Sequence, residues 1–204
     1  MSIKPILFNT EMVTALLEGR KTETRRIVKP GHLWALKSRY RREHPEITDQ
    51  RIIEELCLPP YRPGDVLWVR ESWAVLYNVT GWPTGGSVGD KVGYIYKADN
   101  LLSGMEPQPR WRPSIHMPKE AARLFLEVTE VHAERLQDIT AEGCLREGVE
   151  PAAQTVGPDF VKGMFSDVWD STMDAEKRKK FGWDANPWVW VIKFRQCERP
   201  EDWQ

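Results

Sequence analysis

The sequence lacks the long apolar runs and the leader segment that mark membrane and secreted proteins. No apolar run approaches the roughly 18 to 20 residues needed to span a bilayer, and the longest compact runs have the length of strands. The first residues show neither the apolar core nor the small-residue cleavage site of a secretory signal. A cytoplasmic protein with no membrane contact is therefore predicted.

Cysteine is scarce, and the motifs of common metal and cofactor sites are missing. Cys57, Cys144 and Cys197 lie far apart and form no CxxC pair, which disfavours a disulfide framework or a zinc knuckle. The four histidines have no metal-ligand spacing. Neither GxGxxG after a strand nor GxxxxGKS/T occurs. No metal and no cofactor are expected.

The residues that are present favour one folded domain of α+β type. With 204 residues, 41% of them hydrophobic and 29% charged, the chain has enough apolar material for one core. Apolar alternation predicts strands, and spaced apolar residues with capping signals predict helices. The predicted strands lie at 21–30, 66–77, 92–97, 124–136 and 188–194, and the helices at 10–19, 48–56, 140–148 and 160–173. Several strands with few short helices indicate a small mixed barrel, in which 66–73, 124–131 and 188–194 share one interior.

Other segments are predicted to be irregular. The glycine-rich stretch 81–90 is predicted to be a loop, and the charged stretch 174–180 a mobile link. In the helix near 160–173, Met164, Phe165, Val168 and Trp169 are predicted to face inward.

Positive charge is concentrated in one segment. Between Arg20 and Arg42 there are nine basic side chains and one acid, Glu23, although the whole chain has a net charge of −1. Such a patch is either a bounded contact with phosphates or simply a solvated face. Tryptophan is also abundant, at ten residues. Most of these rings are expected in the core, but one near a basic cleft would stack on a base.

The motif Gly19-Arg-Lys-Thr-Glu-Thr-Arg-Arg26 follows the first predicted helix. With the later Gly64-Asp65 before an aromatic strand and a final strand containing Trp188 and Trp190, it resembles the ASCH domain, and most closely its longer phage and prophage members. The resemblance implies a PUA-like small mixed β-barrel with flanking short helices, in a family associated with RNA and modified nucleotides. We expect a single domain over 1–204, with insertions near 31–62, 76–91 and 149–185.

The resemblance also implies site residues. Members that hydrolyse N4-acylated cytidines use a Lys, a Thr and a Glu, which Lys21, Thr24 and Glu71 would supply as catalytic residues. Many members carry Glu where this chain has Thr24. A lysine acts as a base only when burial or nearby cations lower its pKa. Residues expected to bind the nucleotide are Arg20, Arg25, Arg26, Arg70, Trp68, Trp73 and Tyr96.

Three functions stay open at this point. The first is binding of RNA or of a modified nucleobase or nucleotide in a basic cleft that Lys21, Thr24, Arg26 and Glu71 line together. The second is hydrolysis, by an amidohydrolase acting on acylated cytidine or a related nucleoside, or by a ribonuclease. The third is a phage accessory module that binds another protein. For Glu71 a purely structural ion pair with Arg25 or Arg26 is an equal alternative.

Overall fold

The computed structural model describes residues 2–80, 87–101, 104, 109–151 and 157–203. The strands are β1 (Ile3–Leu7), β2 (Glu23–Ile27), β3 (Val66–Arg70), β4 (Trp73–Thr80), β5 (Ser87–Tyr96), β6 (Phe125–Arg135) and β7 (Trp188–Cys197). The helices are α1 (Thr10–Leu17), α2 (Arg39–Glu43), α3 (Asp49–Leu56), α4 (Ala141–Arg146), α5 (Pro158–Ser171) and α6 (Ala175–Phe181). The predicted α+β class is confirmed. Among these described helices, none is long and apolar enough to cross a bilayer.

Five of the strands form one sheet in the order β1-β3-β6-β7-β2, and β4 pairs with β5 in a separate hairpin. Within the large sheet β1 is parallel to β3, and the other neighbours are antiparallel. The three strands predicted to share an interior lie side by side in this sheet. The predicted strand over 66–77 is interrupted, however, because Glu71 and Ser72 separate β3 from β4 and send the chain into the second sheet.

The large sheet wraps around a common core. Buried side chains from β1, β3, β6 and β7, such as Ile6, Val69 and Ile192, meet Val28, which directly follows β2. In the described residues the main-chain ladder stays open between the edge strands β1 and β2. The Arg26 guanidinium crosses this seam, where Nη2 donates to the Leu7 carbonyl at 3.0 Å. Within the described residues the sheet is therefore not the closed barrel that the sequence predicts, and a side chain joins its edges.

Two smaller cores flank the sheet. Under the β4–β5 hairpin, Trp68 and Trp73 pack with Phe125 and Trp203. On the other side, α4 and α5 cover the sheet and form the second of these smaller cores. Phe165 and Trp169 of α5 belong to this second core. Aromatic side chains of this size account for a large share of the apolar surface that folding removes from water.

Some segments differ from the sequence prediction. The charged stretch predicted to be a mobile link forms α6, because Asp174 caps it by accepting a hydrogen bond from Lys177 N at 2.8 Å. On α5 the predicted inward residue Val168 is 39% exposed, and Val161 is buried in the helix instead. In the glycine-rich stretch predicted to be a loop, residues 87–90 belong to β5, whereas 81–86 lie outside the described residues.

The Gly64-Asp65 turn fastens the start of β1 to the start of β3. Asp65 accepts hydrogen bonds from Ser2 Oγ at 2.6 Å, Lys4 Nζ at 2.7 Å and Arg62 N at 2.9 Å. Burial opposes ionisation of Asp65, but the bonds from Lys4 and Ser2 outweigh it and lower its pKa to about 2. The carboxylate is therefore ionised in the folded protein across the ordinary pH range.

We expect Asp65→Asn to lower the free energy of unfolding at pH 7 by about 2 kcal/mol. Since the folded pKa is depressed, this stability is present above the unfolded pKa near 3.8 and is lost as pH falls toward 2. Urea unfolding between pH 7 and pH 2 measures this difference in stability between Asp65→Asn and wild type. The control is Asp202→Asn, at an exposed position. Equal pH dependence of Asp65→Asn and wild type would contradict the assignment.

Candidate functional site

A cavity of about 760 Å³ opens at the seam between β1 and β2. Its walls come from the end of β1 and the start of α1, from the middle of β2, and from one face of α5. The charged lining residues are Glu11, Arg25, Arg26, Lys97 and Glu147, and the lining hydroxyls include those of Thr24, Ser72 and Ser114. Phe8, Phe165 and Trp169 supply aromatic wall. Polar groups thus converge on a concave, partly apolar space.

The turn after α1 places the predicted motif at this cavity. Asn9 caps α1 by accepting from Met12 N at 2.8 Å, and Gly19 ends the helix with a φ of 73°. The backbone of Arg20 and Lys21 then folds back onto the Ala15 carbonyl before β2 begins. Consequently Lys21 lies behind the cavity, whereas β2 runs along it.

Lys21 is buried in an ion pair that the sequence did not indicate. Its Nζ donates to Glu147 Oε2 at 2.6 Å, to the Glu147 carbonyl at 2.8 Å and to the Glu23 carbonyl at 2.9 Å. Burial lowers the pKa of Lys21; Glu147 opposes that effect, and the nearby guanidinium groups of Arg26 and Arg25 add to it. All three ammonium hydrogens are therefore used, and Lys21 itself is 2% exposed.

Arg25 belongs to the same buried network. Its guanidinium is 2.9 Å from Glu23 Oε1, 2.7 Å from Glu134 Oε1 and 3.3 Å from Glu147 Oε1. Burial alone would lower the pKa of Arg25, but the carboxylates of Glu147 and Glu134 outweigh burial and raise this pKa. The positive charge of Arg25 is neutralised within the protein, so it attracts an anion in the cavity only weakly.

Arg26 is different, because its contacts are not with acids. Its guanidinium donates to the carbonyls of Leu7 at 3.0 Å and Arg25 at 3.4 Å, and its Cζ lies 5.4 Å from the centre of the Phe8 ring. No carboxylate of the described residues lies within ion-pair distance of it. Burial lowers the pKa of Arg26, but an arginine stays charged in proteins. Tyr61 and Glu147 attract this charge from a longer distance, so Arg26 presents to the cavity a cation that has no ion-pair partner within the described residues.

Thr24 lies beside these arginines on β2, where it pairs with Ile192 of β7. The residue is 1% exposed and lines the cavity. Within the described part of the chain its hydroxyl makes no hydrogen bond. A hydroxyl in that position is available to donate to, or accept from, a bound molecule.

Glu71 does not join this group. The Arg123 guanidinium donates two parallel hydrogen bonds to the Glu71 carboxylate, from Nε at 2.8 Å and from Nη2 at 2.9 Å. Glu71 is 1% exposed and is not among the residues that line the cavity, although its neighbour Ser72 is. Instead of Glu71 beside Lys21, the structure shows Glu147. The alternative pairing of Glu71 with Arg25 or Arg26 is replaced by the pair with Arg123.

The remaining predicted binding residues also lie away from the cavity lining. Arg20 pairs with Glu18 and, at 3.3 Å, with Glu150. Arg70 lies over the Trp68 ring and donates to the Ile115 carbonyl. Three predicted stacking residues, Trp68, Trp73 and Tyr96, belong to the cluster under the hairpin or pack against it. Their rings fill the interior, and the aromatic wall of the cavity comes from other residues.

Glu147 is the site residue that sequence reasoning missed. It lies at the end of α4, and Gly148, with a φ of 97°, lets this end approach α1. A Cβ at Gly148 would lie 2.8 Å from Ala15 Cβ. The Glu-Gly pair is a common helix ending, so the sequence offered only that local signal. The contact with Lys21 spans 126 positions and depends on the tertiary fold.

No family model and no curated protein matches this chain. Among solved structures, a crystal structure of an ASCH domain from Lactobacillus crispatus JV V101 is matched with 10% sequence identity and a TM-score of 0.38. The match covers 96% of this chain and 79% of that one.

Proposed function

We propose that the protein binds RNA, or a modified nucleobase or nucleotide, in the cavity at the seam, and that Arg26 is its principal anchor. The observation that carries this proposal is the guanidinium of Arg26, which faces the cavity without an acidic partner among the described residues. Arginine offers planar, paired donors that match a phosphate or a base carbonyl. Phe8 and the Leu7 carbonyl hold the guanidinium in place before a ligand arrives.

The other walls suit the remaining parts of a nucleotide. Thr24 supplies a free hydroxyl, and the first residues of α1 bring the positive end of a helix dipole to the cavity. Phe165 and Trp169 provide aromatic surface, and the bond from Trp169 Nε1 to the Phe181 carbonyl, at 2.8 Å, fixes the indole. Aromatic faces of this kind stack on bases. The volume also lies in the ordinary range of ligand pockets, about 300 to 1,000 Å³.

Replacing Arg26 by glutamine tests the proposal. We expect Arg26→Gln to weaken the binding of nucleoside monophosphates and short RNAs about tenfold to a hundredfold, since a charged hydrogen bond contributes about 1.5 to 3 kcal/mol. Isothermal titration at low salt measures this, with thermal unfolding as a check on the fold. The matched control is Arg195→Gln, an exposed arginine paired with Glu127 outside the cavity. Equal loss in both variants, or loss in neither, would overturn the assignment of Arg26.

Hydrolysis of an acylated cytidine is a second candidate, and the Lys21–Glu147 pair is the observation that favours it. Thr24 and Glu147 line this cavity, and Lys21 contacts Glu147 from behind it, so the acid of such a set would be Glu147 and not Glu71. In such a reaction Glu147 would accept a proton from the attacking water, and Arg26 would stabilise the oxyanion that forms on the acyl carbonyl. As the bond from the acyl carbon to N4 breaks, the same proton would pass from Glu147 to the leaving N4 amine, which releases the carboxylic acid and cytidine. Incubation with N4-acetylcytidine followed by mass spectrometry separates the two functions. Release of cytidine supports the hydrolase, and retention without conversion supports the binder.

A further inference from the structure

A second cavity, of about 460 Å³, lies on the other side of Arg26. Arg26 and Tyr61 line both cavities and so form the boundary between them. Both side chains are anchored to β1, because the Tyr61 hydroxyl donates to the Pro5 carbonyl at 2.9 Å and Arg26 donates to the Leu7 carbonyl at 3.0 Å. The two cavities are therefore adjacent spaces with a fixed, cationic boundary.

The second cavity has the same chemical character as the first. Lys29 lines it, is exposed, and has no carboxylate partner in the described part of the chain. His32 also lines it, and its Nδ1 is buried without a hydrogen-bond partner there. The apolar lining residues of this cavity are Ile27, Leu58, Pro59, Pro60 and Trp190. Cationic and apolar groups in one cavity again fit a phosphate attached to a flat base.

Positive charge continues from this cavity along the protein surface. Lys29 precedes the 3-10 helix Pro30–Lys37, on which Trp34 is 59% exposed and Lys37 is exposed. Farther on, Arg39 and Arg41 are less available, because they pair with Glu43 and Asp49, whereas Arg42 is exposed and makes no ion pair within the described residues. Exposed cations without an ion-pair partner in the described part of the chain therefore begin at the second cavity and continue along this surface.

We propose that the two cavities hold successive nucleotides of one single-stranded oligonucleotide, with the connecting phosphodiester at Arg26. This inference rests on the proposed function and names its ligand class as a polymer. A free nucleoside or mononucleotide would fill one cavity and leave Lys29 and His32 without a role. A strand of two or more nucleotides can occupy both cavities. Bases alternate with phosphates along such a strand, and apolar surface alternates with cationic groups along the two cavities.

The test compares ligands of increasing length on the intact protein. Nucleoside monophosphates, dinucleotides and tetranucleotides, each as RNA and as DNA, are titrated at several salt concentrations. Wild type should bind the tetranucleotide more tightly than the monophosphate. Lys29→Gln should weaken tetranucleotide binding about tenfold, leave monophosphate binding unchanged, and reduce the slope of log affinity against log salt by about one. The matched control is Lys179→Gln, an exposed lysine on α6 that makes no ion pair within the described residues.

Failure of this inference can be told from failure of the proposed function. If Arg26→Gln weakens binding but Lys29→Gln does not, or if monophosphate and tetranucleotide bind equally well, the second subsite is refuted and the proposed function stands. If Lys29→Gln weakens both ligands equally, Lys29 acts only through long-range attraction, and the subsite is also refuted. If wild type binds none of these ligands, both proposals fail. A preference for RNA over DNA at equal length would support a polymer read through its 2′-hydroxyls, and equal affinity a polymer read through phosphate and base.

Discussion

Replacing Lys21 by methionine lowers the free energy of unfolding by about 3 to 5 kcal/mol, the range for breaking a buried ion pair by removing one partner. The expected loss is large because Glu147 is 7% exposed and would keep its charge without the ammonium that contacts it at 2.6 Å. Arg25, at 3.3 Å from the other oxygen of Glu147, offsets part of the loss. Urea unfolding at pH 7 measures the effect.

A double variant shows that the pair, and not the lysine alone, is responsible. Lys21→Met with Glu147→Leu should recover much of the stability lost in Lys21→Met, because it leaves no unpaired charge. The control is Lys193→Met, whose partner Glu130 is 51% exposed, and it should cost no more than about 1 kcal/mol. A loss below about 1 kcal/mol for Lys21→Met would show that water reaches the pair.

The fold could be predicted from the sequence where the pattern is local. The Asn9 cap and the apolar stripe after it predict α1 almost residue for residue, and apolar alternation predicts β6 and β7. The break at Glu71 and Ser72 was not predictable in this way, because Val66 to Tyr77 is rich in β-branched and aromatic residues on both sides of it. Only the three-dimensional packing of two separate sheets explains why the chain turns there.

The charged segment before β7 shows a limit of predicting helices from apolar stripes. Residues 174–180 contain no apolar stripe, and the helix α6 buries none of its residues. Its stability comes instead from the Asp174 cap and from surface pairs such as Lys180 with Glu176, at 3.5 Å. A cap followed by charged residues was present in the sequence, so this helix could have been predicted from capping alone.

The candidate site was predictable only in part, for a physical reason. Thr24 and Arg26 of the motif around Gly19 both line one cavity, because a helix end and a short strand fix their positions locally. Which carboxylate faces Lys21 depends on contacts between distant segments. Glu147 and Glu71 are both acidic, both buried and both paired, and sequence spacing does not distinguish them.

Arg123 is expected to be as important to stability as Lys21. Its guanidinium holds both oxygens of Glu71 and, through Nη1, also contacts Asp99, while its Cζ lies 3.9 Å from the centre of the Tyr96 ring. Replacing Arg123 by methionine leaves the Glu71 carboxylate buried without a counter-charge. We expect a loss of about 3 to 5 kcal/mol in the free energy of unfolding at pH 7.

The pH dependence of this variant has a definite sign. Burial already raises the pKa of Glu71, and Arg123 opposes that effect, so removing Arg123 raises the pKa further. A carboxyl group with a raised folded pKa favours the folded state at low pH, and this contribution is lost as pH rises through the folded pKa. The loss in free energy of unfolding of Arg123→Met relative to wild type should therefore be smaller at pH 4 than at pH 7, and the double variant with Glu71→Leu should not show this difference.

Glu71→Gln should keep the Arg26-dependent binding of nucleotides, because Glu71 is not in the cavity lining. If Glu71→Gln folds stably but binds no nucleotide, Glu71 belongs to the binding site. That result would contradict the assignment of Glu147, and not Glu71, to the cavity.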